Sequence, residues 1–115
     1  MIKESDVWER KQLLKQELDR FLVLLGNRPD VEQVIVFGSY ITGQMHAWSD
    51  LDLVIVQHTD FPFLQRLHQM RDLLNPIVGI DLLVYTPEEF ASLVRERAFV
   101  REEIVSKGKV VYERS

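Results

Sequence analysis

The chain has 115 residues, 46% of them hydrophobic, with a formal net charge of −4, three histidines and no cysteine. This composition excludes an intrinsically disordered chain, a disulfide scaffold and thiolate metal sites, and the absence of a Lys/Arg run argues against generic binding of duplex nucleic acid. The length fits one domain, 1–115, able to bury roughly two-thirds of its unfolded surface. The N-terminal stretch MIKESDVWERK is charged and lacks the apolar core of a signal peptide. No apolar run approaches the roughly 18 residues that span a bilayer, so the expected setting is the cytoplasm, away from membranes.

Asp6 and Glu9 have the spacing of a capping box and predict a helix start. Val7, Leu14, Leu18, Phe21, Leu22 and Leu25 then recur at helical spacing until Gly26 and Asn27 end the pattern. Over 21–25 the helix is apolar on every side, which predicts either a helix sandwiched between other elements or a partner surface. A β-branched run at 34–37 reads as a buried strand that empties into a glycine-containing loop, and 51–56 reads as a second strand. Asp60 and Pro62 open a helix with the apolar face Leu64, Leu67, Met70 and Leu74, stopped by Asn75 and Pro76. Residues 78–85 form a third predicted strand. Thr86, Pro87 and Glu89 supply cap, first-turn proline and reciprocal glutamate for a further helix. That helical region bends near Ala98 and ends by Gly108, and 110–112 reads as a short final strand. Helices alternate with strands, so the class is α/β.

Residues two apart in a strand share a face, so Asp50 and Asp52 point together while Leu51 and Leu53 point into the opposite layer. Two carboxylates a few Å apart repel by more than about 1 kcal/mol in anything drier than water. They persist cheaply if solvated, as on a half-wet strand, or if a hard cation such as Mg²⁺ sits between their oxygens. Asp81 stands in the apolar stretch VGIDLLVY, where a lone charge is costly unless paired with an arginine such as Arg66 or Arg71, or metal-bound. If the second and third strands are neighbours, Asp81 joins the Asp50 and Asp52 face. Gly38 and Ser39 end the first strand and Gly43 follows: glycine lets backbone N–H groups approach an anion and serine adds a donor. A short helix starting after Ser39 would add a favourable dipole. A tight turn with no ligand explains the loop equally well by itself. A phosphate-cradling turn beside a hard-metal carboxylate pair is what a nucleoside triphosphate requires.

Gly38 and Ser39 at a strand end, Asp50-Leu51-Asp52 opening the next strand, and Asp81 on a later one together resemble the nucleotidyltransferase superfamily of DNA polymerase β. More closely, the chain is similar to the minimal nucleotidyltransferases (MNT proteins), small domains often paired with a HEPN-type ribonuclease toxin. The resemblance covers nearly the whole chain. It implies a nucleotidyltransferase fold, α/β or α+β, with a mixed sheet of about four strands and helices packed on it. It also implies Asp50, Asp52 and Asp81 as metal ligands and catalytic residues for two Mg²⁺ ions, and Gly38, Ser39 and Gly43 as nucleotide-binding residues. The implied reaction transfers AMP from ATP to a hydroxyl, a tyrosine of the partner toxin, so that the enzyme acts as antitoxin, and the resemblance further implies an oligomer with that partner.

The chain departs from many relatives in one respect: they carry an arginine in Gly-Ser-x-Ala-Arg-Gly, whereas 39–43 here holds no basic residue. Lys107, Lys109, Arg97 or Arg101 are open as replacements. Two alternatives follow: a protein of the same fold that neutralises or scaffolds its partner by binding alone, and transfer onto a small molecule such as an aminoglycoside, whose enzymes carry an additional helical domain. Trp48 is expected to plug its loop or touch a partner, Ser49 to support the Asp50 backbone, and His46, His58 and His68 are too scattered for a metal cluster. The string Arg95, Glu96, Arg97, Arg101, Glu102 and Glu103 reads as a solvated helix face.

Overall fold

Three β-branched runs and a short C-terminal one pair into a four-stranded mixed sheet in the computed structural model, which describes residues 4–115. Residues 1–3, part of the charged N-terminal stretch, lie outside the described residues. The strands are β1 (Val31–Phe37), β2 (Leu51–Gln57), β3 (Ile80–Tyr85) and β4 (Lys109–Glu113), in the order β3-β2-β1-β4. β1 runs antiparallel to both β2 and β4, whereas β2 and β3 are parallel. The parallel pair needs a crossover, and helix α3 (Phe63–Leu74) supplies it.

Alternation along the strands sorts side chains to two faces. On one face Val34, Val36, Leu51, Leu53 and Ile55 pack with Leu14, Leu18, Phe21 and Leu25 of α1 (Glu4–Gly26) and with Met70 and Leu74 of α3. On the other, Ile35, Phe37, Val54 and Val56 pack with Phe90, Leu93 and Val94 of α4 (Pro87–Glu96) and with Val100 and Ile104 of a π-helix, Val100–Ser106. The one-turn helix α2 (Ser39–Thr42) links β1 toward β2. Among the described residues no helix is long and apolar enough to cross a membrane.

Three expectations need correction. The described helix α1 already begins at Glu4, so Asp6 lies inside it instead of capping it. Val23 is 67% exposed, so α1 is not sandwiched: its 21–25 stretch buries Phe21 and Leu25 and leaves an apolar residue in solvent. In α3, which starts at Phe63 with Pro62 before it, Leu64 is 69% exposed while Arg66 is buried in its place. Arg66 is tolerable there because Glu89 Oε1 lies 2.6 Å from its Nη1, and its Nε donates to Phe61 O at 2.7 Å. The predicted capping box of α4 is present: Thr86 Oγ1 accepts from Glu89 N and Glu89 Oε1 accepts from Thr86 N.

Candidate active site

The antiparallel and parallel pairings converge on one corner of the sheet. β1 places Phe37 opposite Asp52, and β3 places Asp81 opposite Asp52 from the other side. Leu51 and Leu53 are fully buried on the α1/α3 face, so by alternation the Asp52 side chain stands on the α4 face. Gly38 follows Phe37 directly and has φ 76°, a left-handed conformation that favours glycine. A Cβ built there would collide with Asp52 Oδ2, so the glycine also clears the space the carboxylate occupies. Gly79 does the same for Asp50: a Cβ would run into Asp50 Oδ1. Sequence reasoning passed over Gly79, whose only trace was a glycine inside the predicted third strand, 78–85; the observed strand starts one residue after it, at Ile80.

The apolar neighbours of Asp81 do not enclose it. Asp81 is exposed, because β3 is an edge strand and its first residues are open on the α4 face. The two arginines expected to pair with it are engaged elsewhere: Arg66 pairs with Glu89, and Arg71 Nη2 donates to Ile80 O at 3.1 Å. The electrostatic cost falls on Asp52 instead. Burial, a hydrogen bond with Asp81 and the charges of Asp81 and Asp50 push its carboxyl up from 3.8 to about 7.

Asp50 sits one residue before β2 and is more open than Asp52. Its Oδ1 lies 4.0 Å from Arg10 Nη2, and Arg10 Nε donates to Ser49 O at 2.9 Å, so α1 braces this loop. Ser49 is buried and its hydroxyl accepts from His46 N at 2.9 Å, holding the 46–49 turn that leads into Asp50. Trp48, expected to plug that loop or touch a partner, does not plug it: it projects outward at 69% exposure. Among the described residues no three acidic or histidine side chains are drawn together into a ready metal cage. Asp52 and Asp81 are in contact, and Asp50 stands beside them. These oxygens nonetheless suit a hard divalent cation, which would replace the proton that Asp52 otherwise retains near neutrality.

On the other side of Gly38 opens a cavity of about 400 Å³ lined by Gly38, Ser39, Thr42, Gln44, Glu103 and Lys107. Gly43, at φ 84°, closes α2 by donating its N–H to Ser39 O at 3.0 Å. A larger, more apolar cavity lies toward the far end of β3, among Phe63, Tyr85, Glu88, Glu89, Ser92 and Leu93, and contains none of these residues.

No curated protein sequence matches this chain. Its fold is similar to that of solved structures. One is a protein from Sulfolobus solfataricus designated a nucleotidyltransferase: TM-score 0.58, 18% identity, covering 96% of this chain and 86% of that one. A toxin–antitoxin complex with AMP-PNP matches with TM-score 0.54 and 20% identity over 88% of this chain and 74% of that one. A toxin–antitoxin complex, MntA-HpeT, with two aspartates two positions apart changed to glutamate, matches with TM-score 0.52 and 18% identity over the same shares. The model of the family "Polymerase beta, Nucleotidyltransferase" matches residues 21–115, the span that carries the Gly38 turn and all three aspartates, and the chain belongs to that family.

Proposed function

We propose that the chain is a Mg²⁺-dependent minimal nucleotidyltransferase that moves AMP from ATP onto a hydroxyl, a tyrosine of a HEPN-type toxin, and thereby acts as its antitoxin. The observation that carries this reading is the register of Asp81 against Asp52, with Gly38 packed on the same carboxylate. Family membership supports nucleotidyl transfer. The toxin–antitoxin complexes of similar fold, one holding AMP-PNP, support the donor class and the kind of partner.

In this reading Asp50, Asp52 and Asp81 hold Mg²⁺, and Gly38, Ser39 and Gly43 shape the nucleotide-binding turn. Mg²⁺, when bound, supplies charge neutralisation at the phosphates. The chain's own residues do the remaining work. Ser39 donates its hydroxyl to a phosphate oxygen. Asp81, the open carboxylate at the sheet edge, accepts the proton of the acceptor hydroxyl. The acceptor oxygen then bonds to the α-phosphorus as the bond to pyrophosphate breaks, with most of the rate coming from positioning.

The test is transfer of label from α-labelled ATP to a HEPN-type toxin supplied as acceptor. Label should appear on a toxin tyrosine, and Asp52→Asn should lower the rate at least ~10²-fold. Labelling by Asp52→Asn at the wild-type rate overturns the reading. One observation favours the other reading, neutralisation by binding alone: Asp50 leans on Gly79 and Arg10 and is not gathered with its two companions. Titration calorimetry separates the two, because a pure binder gives no heat with ATP and Mg²⁺ yet still captures the toxin.

A further inference from the structure

A triphosphate in the Gly38 turn brings several negative charges to a place where part of the backbone is already engaged. Ile41 N and Thr42 N already donate to Gly38 O, at 3.1 and 3.0 Å. The α2 helix is a single turn, Ser39–Thr42, too short to build a useful dipole. Residues 38–44 contain no cation. Among the described residues, Lys107 is the cation that lines the cavity on this side of Gly38, together with Ser39 and Thr42.

Its position there follows from the backbone. The π-helix is anchored by the buried Val100 and Ile104, and its extra residue per turn ends with Lys107 N donating to Glu102 O at 3.1 Å. Gly108 comes next, where a Cβ would collide with Ile104 O and lie 3.0 Å from Val36 O. The chain can therefore press against the end of β1 immediately after Lys107. Lys109 pairs with Val36, two residues before Gly38. A π-turn, a glycine and a strand register thus fix the backbone of Lys107 beside the turn. Its ammonium is held by Glu103, with Nζ to Oε1 at 2.9 Å, and both side chains remain open to solvent.

We propose that Lys107 is the cation that binds the β- and γ-phosphates of the nucleotide, and that Glu103 holds its ammonium at the cavity until phosphate displaces the carboxylate. The inference rests on the nucleotide reading above and deepens it. A phosphate oxygen is a better partner than the exposed Glu103 carboxylate because it carries more charge and is backed by Ser39 and the bound cation. Glu103 is then a competitor as well as a holder, so removing its charge should help an oligophosphate.

Calorimetric titrations with sodium tripolyphosphate, with ATP and Mg²⁺, and with AMP test this directly. Lys107→Ala should weaken tripolyphosphate and ATP about tenfold and leave AMP unchanged, since AMP lacks the outer phosphates. Lys107→Arg should restore most of the loss, and Glu103→Gln should tighten both oligophosphates about threefold. If wild type binds ATP while Lys107→Ala binds it equally well, Lys107 has no such role and the nucleotide reading survives. If wild type takes up neither ATP nor tripolyphosphate, the nucleotide reading itself is overturned together with this one. Weaker oligophosphate binding by Glu103→Gln would overturn the competition between carboxylate and phosphate.

Discussion

A carboxyl that keeps its proton up to about pH 7 makes the folded chain a tighter proton binder than the unfolded one, in which the same group titrates near 3.8. Asp52 therefore contributes fully below about pH 4, and its contribution is lost as pH rises from there through about 7. The Asn variant has no such loss. In metal-free buffer at pH 8, Asp52→Asn should be more stable than wild type by on the order of 1 kcal/mol, a figure held down because Asp52 is only partly buried. That corresponds to a Tm higher by about 4 °C. Near pH 4 the two should melt together, and added Mg²⁺ should raise the Tm of wild type and not that of the variant. Scanning calorimetry at the two pH values decides the matter: a gain of equal size at both would mean that repulsion among the carboxylates is not its source. The pairing of Asp50 with Asp52 was readable because a strand has period two. That Asp52 bears the cost was unreadable, because the strand order that leaves β3 at the edge is absent from any local pattern.

Among the elements, α4 best shows what local chemistry can and cannot announce. Its start was legible from Thr86, Pro87 and Glu89, since a capping box is a matter of spacing along one segment. Nothing in that segment showed that Glu89 would also reach Arg66 of α3, with Oε1 at 2.6 Å from Nη1 and Oε2 at 3.3 Å from Nη2. One carboxylate thus closes the cap of α4 and joins it to the crossover helix α3. The two roles should separate in substitution. Thr86→Ala loses the cap bond alone and should cost about 1 kcal/mol. Glu89→Ala also strands the buried Arg66 guanidinium and should cost about 2 kcal/mol or more, moderated because Glu89 itself is half open to water. Urea unfolding of both variants checks the order, and equal losses would mean that the cap is all Glu89 provides. The π-helix was foreseen only as a bend near Ala98. Its register comes from Gly108 pressing on Val36, a contact between segments distant in sequence, and so the position of Lys107 could not be chosen in advance.

Across the whole molecule, the layer of α1 and α3 must hold its place for β3 to meet β2 in register, and one buried carboxylate ties those parts together. Glu17 of α1 is 4% exposed. It accepts from Arg20 Nε and Nη2, at 2.8 and 2.9 Å, and from Ile77 N at 3.1 Å, while Arg20 Nη2 also donates to Asn75 O at 3.1 Å. Helix α1 thereby clasps the α3–β3 connection three residues ahead of Ile80, where the strand bearing Asp81 begins. The Arg20 hydrogen bonds, helped by Ile77 and opposed by burial, hold the Glu17 carboxyl below its ordinary value of 4.5. A depressed folded-state value means stability that is present above about pH 4.5 and is lost as pH falls through the lower, folded value. Glu17→Gln keeps the shape but removes the charge, so at pH 7 it should be less stable than wild type by about 2 kcal/mol, the scale of hydrogen bonds to a charged group. Wild type alone loses this contribution in acid, so the gap between the two should narrow markedly by pH 3. Urea unfolding at pH 7 and pH 3 measures it. A gap of the same size at both would assign the role of Glu17 to packing, and a gap that closes would identify an ionised clasp as what carries order from α1 to the strand of Asp81.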